Sequence, residues 1–319
     1  MQMHPPNSAW YSEENNMQIK ANNINIEVED TGALPLGENG QARPVVMLIM
    51  GLGMQLVAWP PALVLSLVEA GFRVVRHDNR DIGKSQKFGH LGNPNLIWMS
   101  LKHKLGLSID PPYSLKDMAL DAIGVLDALK IDKAHIVGVS MGGMIAQRVV
   151  IAAPIRVLSL TSIMSSSGAR GLPQAQPKVL GALLGRPKSN AENDVTDHYV
   201  KLFKVIGSPG FPIDAAESRE RILEGIRRSF HPTGTFRQMV AIAADAKRPA
   251  ELANISCPTL VIHGKDDPLV PYENGVDTAK RIKGAHLVGI EGMGHDLPPG
   301  VVTRITSVLL PFLQVNLAT

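Results

Sequence analysis

Ala134-His135-Ile136-Val137-Gly138-Val139-Ser140-Met141-Gly142 is the stretch that decides the fold. An apolar, largely β-branched run ends at Val139, and a helical stretch from Met141 to about Ala153 follows at once. Gly-x-Ser-x-Gly at a strand-to-helix junction is a nucleophile elbow. The turn is so tight that Ser140 must adopt strained angles, and only glycine fits at the flanking close contacts. The serine hydroxyl then projects at the strand's C-terminal end, beside the positive end of the next helix.

Working outward, the same rhythm recurs. Short apolar runs stand at Val45–Met50, Arg73–His77, Val157–Ile163, Leu260–His263 and His286–Ile290. Unbroken runs of this kind suit strands buried on both faces, as in a parallel sheet. Helix signals fill the gaps: Pro60-Pro61 opens and Gly71 closes one helix, and Ser114 with Asp117 forms a capping-box pattern before another. Strand–helix–strand alternation predicts right-handed crossovers and a doubly wound, mostly parallel α/β sheet. Ahead of it, Gln18–Lys20 and Ile24–Val28 alternate around Asn22-Asn23 as a hairpin, and Gly32 to Gln41 reads as a loop. The rhythm fails between Gly168 and Lys247, where helices are expected over Asp194–Ile206, Asp214–Phe230 and Thr235–Lys247. Residues 1–16 then read as a loose tail, 17–167 and 248–319 as the core, and 168–247 as a helical insertion.

The composition closes off other classes. At 319 residues, 45% apolar and 19% charged, the chain can bury a sizeable core. A net charge of +3, with short basic clusters not interleaved with aromatics, is a poor footprint for nucleic acid. The single cysteine, Cys257, excludes an internal disulfide and a multi-cysteine metal site, and reads as a packed strand-entry residue. The 25 uncharged residues from Pro44 to Val68 are broken by Gly51, Gly53 and Pro60-Pro61, so no stable membrane anchor is expected. Glu13 and Glu14 without an apolar stretch argue against a secretory signal, which points to the cytoplasm.

A serine hydroxyl is a weak nucleophile until a base takes its proton, and the fold's order is serine, acid, histidine. Of the ten histidines, His295 stands out in Gly292-Met293-Gly294-His295-Asp296, just after the last strand run. His286 opens that run and is expected to pack within or beside it. His103, His198 and His231 read as solvated or structural, His4 lies in the tail, and His77, His90, His135 and His263 adjoin other elements. The acid belongs in Gly264-Lys265-Asp266-Asp267-Pro268. The adjacent aspartates point in different directions, so only one reaches the imidazole. Asp266 is the runner-up, as a turn-capping side chain or a solvated partner of Lys265. Asp78 and Arg80 read as braces of the loop after their strand.

On these motifs the chain resembles the α/β-hydrolase fold superfamily, in its capped esterase-like branch, over roughly residues 17 to 316. The resemblance rests on Gly138–Gly142, on Gly-x-x-Asp-x-x-x-Pro from Gly264 to Pro271, and on Gly-x-Gly-His from Gly292 to His295. It implies Ser140 as nucleophile, Asp267 as acid and His295 as base. At Met50-Gly51-Leu52-Gly53 it implies an oxyanion hole from the backbone N–H groups of Leu52 and Met141; Met50 stands where relatives often carry histidine. Met50-Gly51, Trp59 and the segment from His77 to Ser85 are similar to the subgroup containing aclacinomycin methylesterase.

The resemblance thus implies a serine hydrolase that cleaves a small-molecule carboxylic ester through an acyl-enzyme, with no metal or organic cofactor. Met144, beside the elbow, and Leu202, Phe203 and Ile206, on the insertion, are the candidate pocket residues. The same triad would serve lactone, carbon–carbon bond or peracid chemistry, and some relatives only bind ligands. A proline-iminopeptidase reading is weaker, because that group favours Gly-Gly-Ser-Trp-Gly where this chain has Val139 and Met141.

Overall fold

In the structure, a computed structural model, residues 16–32, 42–95, 98–99, 101–102 and 105–317 are described. The expected loose tail lies outside them except for Asn16. The apolar runs pair into one eight-stranded sheet. Its strands are β1 (Asn16–Ala21), β2 (Ile24–Asp30), β3 (Val45–Ile49), β4 (Arg73–His77), β5 (Ala134–Val139), β6 (Val157–Ile163), β7 (Thr259–Gly264) and β8 (His286–Ile290). The order is β1-β2-β4-β3-β5-β6-β7-β8. β1 and β2 form the antiparallel hairpin, turning at Asn22 and Asn23 with φ of 48° and 64°, the left-handed angles that asparagine tolerates. β2 pairs antiparallel with β4, and every later pairing is parallel.

Helices cover both faces. α1 (Pro61–Glu69) starts with proline in its first turn, and α2 (Leu115–Ala128) carries the full Ser114–Asp117 capping box. α3 (Met141–Ala152) follows the elbow. Between β6 and β7 come α4 (Pro177–Leu184), α5 (Glu192–Ile206), α6 (Ala215–Arg228), α7 (Pro232–Ala244) and α8 (Arg248–Glu251). α9 (Glu273–Arg281) follows β7, and α10 (Pro299–Val315) follows β8.

Strand alternation splits the core in two. Val45, Met47 and Ile49 face a cluster with Leu115, Val125, Ile145 and Val149 of α2 and α3. Val46 and Leu48 face the other cluster, with Leu63 and Leu67 of α1 and Ile305 and Leu309 of α10. Each such side chain contributes about 1.5–3 kcal/mol when fully buried, so the central strands are the most firmly held part of the scaffold.

The inserted helices are joined to this scaffold by buried charges. Arg237 of α7 meets Asp81 at 2.8 Å, and Arg228 of α6 meets Asp78 at 2.7 Å. Arg148 of α3 pairs with Asp245 and Glu251 beyond α7. Arg80 pairs with Asp121 at 2.6 Å, so both Asp78 and Arg80 brace their loop as expected. His286 departs from expectation: it is exposed, because β8 is the outermost strand and its first residue faces solvent. Among the described residues no helix is long and apolar enough to cross a membrane.

Candidate active site

The sheet order opens a crevice above the C-terminal ends of its central strands. From β3 the chain crosses to β4 on one side, while β5 lies on the other. The connections therefore diverge above the C-terminal ends of β3 and β5, the place where open α/β sheets bind ligands. Ile49 and Gly138 are register partners there, which puts the Met50–Gly53 segment beside Ser140. A Cβ placed on Gly51 would stand 3.2 Å from Ser140 Cβ.

Ser140 takes φ 55° and ψ −122°, a strained combination for any residue with a Cβ. Its neighbours enforce it. A Cβ on Gly142 would stand 2.0 Å from Ile49 O, and one on Gly138 2.1 Å from Gly142 O, so α3 can approach the sheet only with glycine at both. Ser140 N–H donates to Ile163 O at 2.9 Å, and the Ser165 hydroxyl donates to Ser140 O at 2.7 Å. The serine backbone is thus fixed from β6.

Loops from three strands then meet. His295 Nε2 lies 3.0 Å from Ser140 Oγ, and His295 Nδ1 lies 2.7 Å from Asp267 Oδ2. With the Nδ1 proton directed at the carboxylate, Nε2 is left to accept the serine O–H. Asp267 is aimed by its own loop: Oδ1 accepts the N–H groups of Leu269 at 2.9 Å and Val270 at 2.8 Å. Asp266 turns the other way, and its Oδ2 accepts Gly292 N–H at 2.8 Å. Asp266 is exposed, as a solvated side chain would be, and holds Gly292 N–H, whereas Lys265 pairs with Glu291 rather than with it.

Sequence reasoning passed over His263. It is fully buried, donates from Nε2 to Val270 O at 2.7 Å, and lies 3.6 Å from Asp267 Oδ2. Burial pushes its pKa below the usual imidazole value, which favours the neutral form. Also unforeseen were Asn79, whose amide donates to Met50 O at 2.9 Å, and Gln238, which accepts Gly53 N–H at 2.9 Å. These side chains hold the Met50–Gly53 segment. Only its Gly-rich composition hinted that it needed holding.

A cavity of about 2450 Å³ opens over Ser140 and His295, lined by Leu52 from the β3 loop and by Leu202, Phe203 and Ile206 from α5. Met144 is not one of its lining residues among those described. It packs in the core beside Ile145 and Val149, because α3 is buried along almost its whole length. Met141 is likewise buried there, with its backbone at the helix start. Asp296 also lines the cavity, and burial raises its carboxyl pKa above the ordinary aspartate value.

Comparison with known proteins agrees with this architecture. Residues 44–298 match the family described as alpha/beta hydrolase fold. The chain is 30% identical over 279 residues to rhodomycin D methylesterase DauP of Streptomyces sp. (strain C5), covering 80% of this chain and 86% of the relative. It is 29% identical, with the same coverage, to rhodomycin D methylesterase DnrP of Streptomyces peucetius. Among solved structures, a meta-cleavage product hydrolase (CumD) from Pseudomonas fluorescens IP01 shares the fold, with a TM-score of 0.69 at 19% identity, covering 95% of this chain and 99% of the other. An enol-lactonase from Burkholderia xenovorans LB400 does so with a TM-score of 0.63 at 19% identity, covering 93% and 100%. The family match runs from the residue before β3 to the loop beyond His295 and so takes in every element that meets at Ser140: the chain belongs to the alpha/beta hydrolase fold family.

Proposed function

We propose that the protein is a carboxylic ester hydrolase that works through an acyl-enzyme on Ser140. The observation that carries this reading is the continuous relay from Ser140 Oγ through His295 to Asp267, at 3.0 and 2.7 Å. Ser140 attacks the ester carbonyl while His295 Nε2 takes its proton. The imidazolium then delivers that proton to the leaving alcohol. Asp267 keeps the imidazole in the required tautomer and stabilises its charged form. Water repeats the sequence on the acyl-enzyme and releases the acid.

The N–H groups of Leu52 and Met141 are assigned to the developing oxyanion, each worth about 2.7–4 kcal/mol of transition-state stabilisation. Residues 168–247 serve as a helical cap on a core of residues 17–167 and 248–319. The apolar side chains of α5 would then take the acyl or alcohol part of a small-molecule ester. Methylesterase relatives at 29–30% identity favour an ester over other carbonyl substrates of the same fold.

Turnover of a panel of p-nitrophenyl and methyl esters tests the reading. Ser140→Ala should lower kcat by about 10⁴–10⁶, the range seen when one triad member is removed. A serine-directed organophosphonate should label Ser140 in the wild type. Turnover of none of the esters would point to a ligand-binding relative, and an active Ser140→Ala protein would remove the mechanism.

A further inference from the structure

The loop that presents His295 is held from two sides. The loop after β7 holds its first half: Lys265 N–H donates to Ile290 O at 3.0 Å, Asp266 N–H to Met293 O at 3.1 Å, and Gly292 N–H to Asp266 Oδ2 at 2.8 Å. The second half is held by the inserted segment. Ser208 Oγ accepts Gly294 N–H at 2.9 Å and donates its own proton to the Asp296 carboxylate. Ile206 O accepts His295 N–H at 2.7 Å, and Gly210 N–H donates back to Gly292 O at 2.9 Å. The two chains touch at backbone level, since a Cβ on Gly294 would stand 2.4 Å from Gly207 O.

We infer that Ser208 is a positioning residue for His295, tying the imidazole to the helix that forms the cavity wall. The inference rests on the reading of His295 as the base. Its hydroxyl accepts on one side of His295 and donates on the other, so one buried group orients the residues that flank the imidazole. The Asp267 carboxylate itself fixes the ring but not the backbone, and its neighbour Asp266 holds the loop only ahead of Gly294. Ser208 sits two residues beyond Ile206, at the end of the helix whose Leu202, Phe203 and Ile206 line the cavity. Removing the hydroxyl leaves the buried Gly294 N–H, and one oxygen of the half-buried Asp296, without this partner. The loop then settles elsewhere, and His295 Nε2 drifts from Ser140 Oγ. Reactivity is steep in that distance, whereas apolar binding in the cavity is not.

The experiment is a kcat and KM comparison of Ser208→Ala, Asp296→Ala, Asp296→Asn and the Ser208→Ala/Asp296→Ala double variant. Ser208→Ala should lower kcat by about tenfold to a hundredfold while KM stays within about twofold. The organophosphonate reaction at Ser140 should slow by the same factor. Asp296→Asn keeps an oxygen to accept the Ser208 proton and should stay within about threefold of wild type, while Asp296→Ala falls with Ser208→Ala. The double variant should be no worse than either single one, as for two members of one network. Wild-type kcat in Ser208→Ala, a change confined to KM, or additive losses in the double variant would each overturn the proposal. Should Ser208→Ala fail to fold, the Asp296 pair decides: equal rates for alanine and asparagine overturn it. His295→Ala separates the two levels. If it stays active, the assignment of the base falls; if it is dead while Ser208→Ala is unimpaired, only the positioning role falls.

Discussion

Asp267→Asn should lower kcat by about 10⁴, because an amide cannot hold the imidazole tautomer that leaves Nε2 free for the serine proton. Asp266→Asn should retain most activity, since an amide oxygen can still accept Gly292 N–H as the carboxylate does at 2.8 Å. One p-nitrophenyl ester assayed with both variants decides it; a larger loss at Asp266 would exchange their roles. The register of Asp267 came from the resemblance, whose pattern places an acid three residues after Gly264, and from Pro268, whose ring restricts the backbone before it; Asp267 Oδ2 does lie 2.7 Å from His295. His263 was not. A histidine at the end of an apolar run carries the same sequence signature whether it packs in a core or braces a carboxylate. Only the fold of the loop to Val270 O tells the two apart.

At the scale of elements, the inserted helices should set substrate choice. Phe203→Ala and Leu202→Ala widen the cavity wall above Ser140, and each removed group should alter discrimination between short and long acyl chains by about 1–3 kcal/mol. Ratios of kcat/KM over a p-nitrophenyl ester series measure this; unchanged ratios would reduce α5 to a structural cover. Every sheet strand was legible, β3 to β8 as short apolar runs bounded by turn residues and β1 and β2 as an alternating hairpin around Asn22-Asn23. α4 was not, since Gly181 and the surrounding proline and glutamine residues weaken its helical pattern. The insertion's helices were placed, with ends shifted by a few residues, but their attachment was not. Arg237–Asp81 joins residues 156 apart in the chain, and no local pattern announces such a pair.

Across the whole molecule, burial of imidazoles should make stability fall with acid well before the carboxylates titrate. His135 is fully buried against Ser159 and the Phe72 ring, and desolvation lowers its pKa from 6.5 to about 4. It therefore stays neutral in the fold and gains a proton on unfolding between about pH 4 and 6.5. Stability is full above that window and declines as pH drops through it, by up to about 1.4 kcal/mol per pH unit for each such group. His77 and His263 are pushed down by burial too and add in the same direction. Urea midpoints at pH 7 and pH 5 measure the effect; equal midpoints would mean these rings are solvated.

The backbone of Ser140 has its own effect at this scale. At φ 55° and ψ −122° a Cβ is costly, by about 1–3 kcal/mol for a strained residue of this kind. Glycine avoids that cost and gives back only about 0.5–1 kcal/mol through its looser unfolded chain. Ser140→Gly should therefore melt above the wild type, whereas Ser140→Ala, which keeps the Cβ, should not gain in the same way. A melting curve for Ser140→Gly at or below the wild-type one would show that the turn is relaxed. If the turn is strained and Ser140 attacks the ester as proposed, heat tolerance and turnover draw on the same residue in opposite directions. Generations selected for survival at high temperature alone would find Ser140 among the first positions to abandon.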